Sequence, residues 1–136
     1  MKKLADERLL PELMRRRNEW VLGPTFDGSQ LLKADVDLIV GGLLLDLKTS
    51  VGSDRADGTR YASLKREELW QIVCYALMDF SHAHGITEVG LYAARYGNLT
   101  TWSLAELLAE LHGSSVDVDD ERAMLKEVLQ RQQDVR

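Results

Sequence analysis

Cysteine is almost absent from this chain: Cys74 stands alone among 136 residues, which excludes an internal disulfide. Its place in the apolar run Ile72-Val73-Cys74-Tyr75-Ala76-Leu77 makes it a core residue rather than a nucleophile, and no His and Asp accompany it in sequence. There is no cysteine cluster with zinc-like spacing and no glycine-rich phosphate cradle, so zinc-based and nucleotide-driven readings find no support. No apolar run reaches membrane-spanning length, and the Met-Lys-Lys start is not followed by a signal-peptide hydrophobic region, so a cytoplasmic protein is expected. Internal repeats and low-complexity tracts are also missing. At 45% hydrophobic residues the chain is long enough to bury a core unaided and too short for two ordinary domains. One domain over 1–136 is expected, with 113–136 as a C-terminal helical extension.

Basic charge is in deficit too, with a net charge of −5. Because Lys and Arg supply most of the affinity for phosphate, this counts against a strongly processive nucleic-acid binder. The distribution softens the objection. Residues 1–100 carry 13 basic and 14 acidic side chains, whereas residues 101–136 carry 4 basic and 8 acidic, so the acidity sits mainly in the tail.

What the sequence does have is Ala34-Asp35-Val36-Asp37-Leu38-Ile39-Val40-Gly41-Gly42-Leu43-Leu44-Leu45-Asp46-Leu47-Lys48. Gly41-Gly42 between two apolar runs reads as a two-residue hairpin turn, whose central positions need φ > 0. That loop sets Val40 opposite Leu43, Asp37 opposite Asp46 and Asp35 opposite Lys48. Alternation then sorts Val36, Leu38, Val40, Leu43, Leu45 and Leu47 onto a wholly apolar face. The other face carries Asp35, Asp37, Ile39, Leu44, Asp46 and Lys48. Every charge of the hairpin lands on one side.

An amphipathic hairpin with a merely wet polar face is the bland alternative. Aspartate is a poor strand residue, however, and two carboxylates face to face cost roughly 0.2 to 1 kcal/mol. The pair becomes favourable when a divalent cation sits between its hard oxygen ligands. A lysine two residues after the second aspartate points at the same place, where its ammonium can hold an attacking water or a phosphate oxygen.

At these residues the chain resembles the PD-(D/E)XK nuclease superfamily and, within it, the RecB-like branch. Asp37 with Asp46-Leu47-Lys48 looks like the strand aspartate and D-x-K of that branch, and Gln71-Ile72-Val73-Cys74-Tyr75 looks like its Q-x-x-x-Y helix motif. The resemblance covers residues 30–96, and Ala34 stands where the branch often has glycine. It implies a restriction-endonuclease-like αβββαβ core, an α/β fold with a small mixed sheet flanked by helices. It also implies Mg²⁺ or Mn²⁺ as cofactor and hydrolysis of phosphodiester bonds, in DNA first, with RNA left open. Asp37 and Asp46 would be metal ligands, the Leu47 carbonyl a further one, and Lys48 the residue at the water. Gln71 and Tyr75, one turn apart, would orient substrate or the lysine. Members often add an acid from the first helix, here Glu7, Glu12 or Glu19, with Glu12 the choice. Asp35 is equally a salt-bridge partner for Lys48. Arg55, Arg60 and Arg66, with Lys65 and Arg15-Arg16-Arg17, would form a positive rim for substrate. The competing readings are a nuclease-like module that binds nucleic acid or protein without cutting, and a regulatory or immunity-type protein with an incidental charged hairpin.

The remaining elements follow from periodicity. A helix is expected over residues 2–20, kinked or restarted at Pro11 and ended by Gly23-Pro24. Phe26-Asp27-Gly28-Ser29 reads as a turn, and Thr49 to Ala62 as a substrate-facing loop or a plain connector. A helix from Ser63 to about His84, closed by Gly85, precedes a strand over Glu88–Arg95, parallel to the strand carrying Asp46. His82 and His84 are expected at that helix's C-terminus. Asn98–Trp102 is an edge strand. Helices follow over Ser103–His112, with a capping box of Ser103 and Glu106, and over Asp119–Gln133, the latter docking on the core, a protein partner or a second copy. Trp70 and Trp102 read as packing residues rather than base-stacking platforms.

Overall fold

In the computed structural model the described residues are 9–15, 20–24, 26–30, 36–49, 53–54, 56–57, 60–61 and 65–135. In chain order they form α1 (Leu10–Arg15), β1 (Trp20–Leu22), a 3₁₀ turn (Asp27–Gln30), β2 (Leu38–Val40) and β3 (Leu43–Lys48). Next come β4 (Ser53–Asp54), β5 (Arg60–Tyr61), α2 (Arg66–Leu77), β6 (Glu88–Ala93), β7 (Asn98–Ser103), α3 (Leu104–His112) and α4 (Val118–Val135). Five strands make one mixed sheet in the order β1-β2-β3-β6-β7, in which β3 and β6 are parallel and every other pair antiparallel. The fold is α/β, a small mixed sheet flanked by helices. No helix among the described residues is long and apolar enough to cross a membrane.

Gly41 and Gly42 take φ of +53° and +79°, and the turn they form sets Val40 opposite Leu43, Ile39 opposite Leu44 and Leu38 opposite Leu45. This is the register a two-residue loop dictates. The two faces are not divided into core and water, however, because helices cover both. On one side Ile39, Leu44, Val89 and Leu91 pack against Ile72, Val73 and Ala76 of α2 and Leu104, Leu107 and Leu108 of α3. On the other, Leu38, Val40, Leu45 and Tyr92 pack against Leu9 and Leu13 at α1. Each of these buried side chains contributes roughly 1.5 to 3 kcal/mol of transfer free energy. Two members of the expected apolar face depart from it. Val36 joins the core under α2, since the chain leaves the ladder before Leu38, and Leu47 is 42% exposed, beyond the cover of α1.

The helix expected over residues 2–20 is described only at Leu10–Arg15, and Trp20 belongs to β1 instead. Trp20-Val21-Leu22 are good strand formers, and β2 offers them a free edge, with Trp20 opposite Val40. Pro11 lies in the first turn of α1, where its missing N–H costs nothing. Within the expected loop after Lys48, β4 and β5 form a two-stranded antiparallel ribbon.

Helix α2 is shorter than its apolar spacing suggests at both ends. It begins after Lys65, whose N–H donates to Glu68 Oε2 at 3.2 Å, while Ser63 lies outside the described residues. It ends at Leu77 rather than His84, because the buried Asp79 folds the chain back and accepts from the N–H of Ala83 (3.1 Å) and His84 (2.9 Å). The two histidines therefore sit in a loop, His82 at φ +58°, and not at a helix end. That loop rests on the turn at Phe26–Ser29. Gly28 N donates to Met78 O (3.0 Å), Ser81 N to Asp27 Oδ2 (2.7 Å), and the Phe26 ring meets His84 edge-on.

The C-terminal half matches its reading closely. Ser103 Oγ accepts from Glu106 N at 3.4 Å, one half of the expected capping box, Gly113 closes α3 in the left-handed conformation, and β6 runs parallel to β3 with Asp46 beside Leu91. Helix α4 docks through Leu125 and Leu129 and through Arg122, which is buried and bonds to Asp119 (2.9 Å) and His82 (3.0 Å). Trp102 packs on the main core, and Trp70 meets the His112 ring edge-on.

Candidate metal centre

One face of β3 reads Leu44, Asp46, Lys48. Leu44 is fully buried under α2, and two residues later the strand emerges at the end of the sheet. The Asp46 side chain is 13% exposed and that of Lys48 26%, with Lys48 Nζ 2.7 Å from Asp46 Oδ2. An ion pair this sheltered keeps more of its Coulomb attraction than one in open solvent.

Asp37 reaches the same place by a different route. The β2–β3 ladder ends at Leu38, so the N–H of Leu47 has no strand partner, and Asp37 Oδ2 accepts it at 2.7 Å. The backbone explains why that N–H points there. Lys48 O accepts from Ala94 N on the β6 side, and strand alternation sends the N–H and C=O of Leu47 to the opposite edge, toward Asp37. The carboxyl of Asp37 lies beside that of Asp46 and acts on it.

The third component comes from α2. Gln71 Nε2 donates to Tyr75 OH at 2.9 Å, so the two residues of the helix motif act as one unit. Glu68, which the sequence reading missed, lies on the same side at i−3 from Gln71 and i−7 from Tyr75. Its signal in the sequence was this spacing.

The electrostatics agree with the geometry. Burial pushes the Asp46 carboxyl above the ordinary aspartate value, and the adjacent Asp37 adds to this against the pull of Lys48. At Lys48 burial acts downward, but the bond to Asp46 and the charges of Asp46 and Glu68 outweigh it, and the ammonium is held above the ordinary lysine value. Two neighbouring carboxylates against one ammonium leave an excess of negative charge in hard oxygen donors. That is the donor chemistry of a Mg²⁺ or Mn²⁺ site, and Asp37, Asp46 and the Leu47 carbonyl are the groups able to hold such an ion. Among the described residues no group of three or more acids, histidines or cysteines has metal-holding geometry.

Of the residues singled out from sequence, Asp37, Asp46, Leu47 and Lys48 come together at the strand end, and Gln71 and Tyr75 are bonded to each other on α2. Glu12 is not brought to them. It is held by Arg15 Nη2 at 2.6 Å, and α1 packs on the sheet face opposite α2. Arg66 is exposed at the start of α2, as is Lys65. Asp35, Arg55, Glu7 and Glu19 lie outside the described residues, and of Arg60 only the backbone in β5 is described. Comparison with protein-family models, with curated proteins and with solved structures gives no match to this chain.

Proposed function

We propose that this chain is a divalent-metal-dependent nuclease of the PD-(D/E)XK type, RecB-like, with a restriction-endonuclease-like core, hydrolysing phosphodiester bonds in DNA. The observation that carries this reading is the meeting of two carboxylates, Asp37 and Asp46, with the Lys48 ammonium 2.7 Å from the second. A structural ion pair needs one acid; the second acid raises the cost of the site and has its use in holding a cation.

Mg²⁺ or Mn²⁺, held by Asp37, Asp46 and the Leu47 carbonyl, would polarise the scissile phosphate and make its bound water more acidic. Lys48 supplies a fixed positive charge where an attacking water or a non-bridging phosphate oxygen stands. Tyr75 and Gln71, tied to each other, limit the directions in which a substrate can approach the lysine. Arg66 and Lys65 present exposed positive charge at the start of α2, where the backbone of a nucleic acid would run.

The test is cleavage of linear, circular and single-stranded DNA, and of RNA, with Mg²⁺ or Mn²⁺, running Lys48→Ala and Asp46→Ala beside the parent. Metal-dependent cleavage abolished by both substitutions is expected. No cleavage of any substrate, with calorimetry showing no Mn²⁺ binding, would overturn the reading and favour a module that binds nucleic acid or protein without cutting.

A further inference from the structure

Past Lys48 the end of the sheet is closed by backbone hydrogen bonds. Ala93 lies beside Lys48 in the β3–β6 register, and Ala94 N donates to Lys48 O at 2.9 Å. The next residue, Arg95, sits in the turn that joins β6 to β7, where the N–H groups of Tyr96 and Gly97 both donate to Ala93 O, at 3.1 and 2.9 Å. Its side chain reaches back to β3: Arg95 Nε donates to Thr49 O at 2.9 Å, one residue past Lys48. Helix α2 connects the C-terminal end of β3 to the N-terminal end of the parallel β6, so its first turn, with Lys65 before it and Arg66 in it, stands at this same end of the sheet.

Arg95 is exposed, and only Nε of its guanidinium is used in that bond. The acceptor is a neutral carbonyl, so the charge is fixed in place without being cancelled. Arg15, Arg122 and Arg131 are each held by an acid three or four residues away on their own helix, whereas Arg95 forms no ion pair among the described residues. An anchored guanidinium with its Nη groups unspent presents planar donors that match two oxygens of a phosphate. We propose that Arg95 is a substrate-binding residue, which takes a backbone phosphate of the nucleic acid next to the one at Asp46 and Lys48. This rests on the nuclease reading above. Anchoring Thr49 alone does not account for an arginine, since the amide N–H of a glutamine reaches as far and carries no charge.

Arg95→Gln separates the two roles. Its amide nitrogen stands as many bonds from the backbone as Nε does, so the bond to Thr49 O is kept while the charge and both Nη groups are lost. Binding of a fluorescently labelled DNA duplex is followed by anisotropy over a salt series in EDTA, and KM is measured with Mg²⁺. Arg95→Gln should bind the duplex about 5- to 20-fold more weakly, with a log–log salt slope shallower by about 0.9, and Arg95→Lys should recover most of that slope. KM of Arg95→Gln should rise by a similar factor with kcat little changed, and its melting temperature and Mn²⁺ affinity should match the parent's. Equal affinity, salt slope and KM in a parent that cuts DNA would overturn the role of Arg95 while leaving the nuclease reading intact. So would weaker binding that comes with a lower melting temperature and an unchanged salt slope, since that marks a structural role only. A parent that neither binds the duplex nor cuts it with Mg²⁺ would overturn both.

Discussion

Asp37 Oδ2 accepts the N–H of Leu47 at 2.7 Å, so the first carboxylate of the candidate site also finishes the hairpin ladder that stops at Leu38. One oxygen of Asp37 serves the backbone, and the carboxyl still lies beside Asp46. Asp37→Asn keeps an oxygen acceptor for Leu47 and discards the charge, whereas Asp37→Ala discards both. Urea unfolding without metal should therefore find Asp37→Asn within about 0.5 kcal/mol of the parent and Asp37→Ala destabilised by about 1 kcal/mol. Both should lose the rise in melting temperature that Mn²⁺ gives the parent.

The raised pKa of Asp46 fixes the sign of a pH effect. Between the ordinary value of 3.8 and its own higher one, the folded chain holds a proton that the unfolded chain has released. In the metal-free protein this site's contribution to stability falls as pH rises through that window. Metal binding needs the ionised carboxylate and must strengthen over the same window. Thermal melts from pH 4 to 7 should show Mn²⁺ stabilisation growing with pH in the parent and not in Asp46→Asn. A Mn²⁺ effect independent of pH would contradict the assignment.

Asp79 is 1% exposed and is the acceptor for two loop N–H groups, those of Ala83 and His84. Replacing it by alanine leaves both donors without that partner, at a cost of about 3 kcal/mol in chemical denaturation. Asp79→Asn retains one acceptor oxygen and should cost less.

Gly28 has no room for a side chain. A Cβ there would stand 2.9 Å from Met78 Cβ, 3.0 Å from Met78 Cγ and 3.1 Å from Phe80 Cε2. Gly28→Ala should destabilise the fold by about 1 to 3 kcal/mol, read as a lower melting temperature.

The parts of the fold legible in sequence were those decided locally. Gly41-Gly42 set the hairpin register, Ser103 and Gly113 bounded α3, and Val89 and Leu91 on one side with Tyr92 on the other marked a strand buried on both faces. The rest depended on distant partners. Trp20 reads as the end of a helix until the free edge of β2 is available to pair with it. Phe80 keeps the helical period of α2 by coincidence, and only the burial of Asp79 shows that the helix has already ended. At the candidate site Asp46, Lys48, Gln71 and Tyr75 were visible as spaced motifs. The role of Asp37 at the Leu47 N–H was not, because it depends on where the β2–β3 ladder stops.

The seating of Gly28 against Met78 lies at the far end of α2 from Lys48, and so it governs aim as well as stability. A helix of 12 residues is about 18 Å long, and a tilt of about 3° at one end moves the other by about 1 Å. Errors of that size in the placement of reacting groups cost orders of magnitude in rate. The loop after α2 and the turn beneath it thus act as the mount of a pointer, whose tip is the first turn of α2.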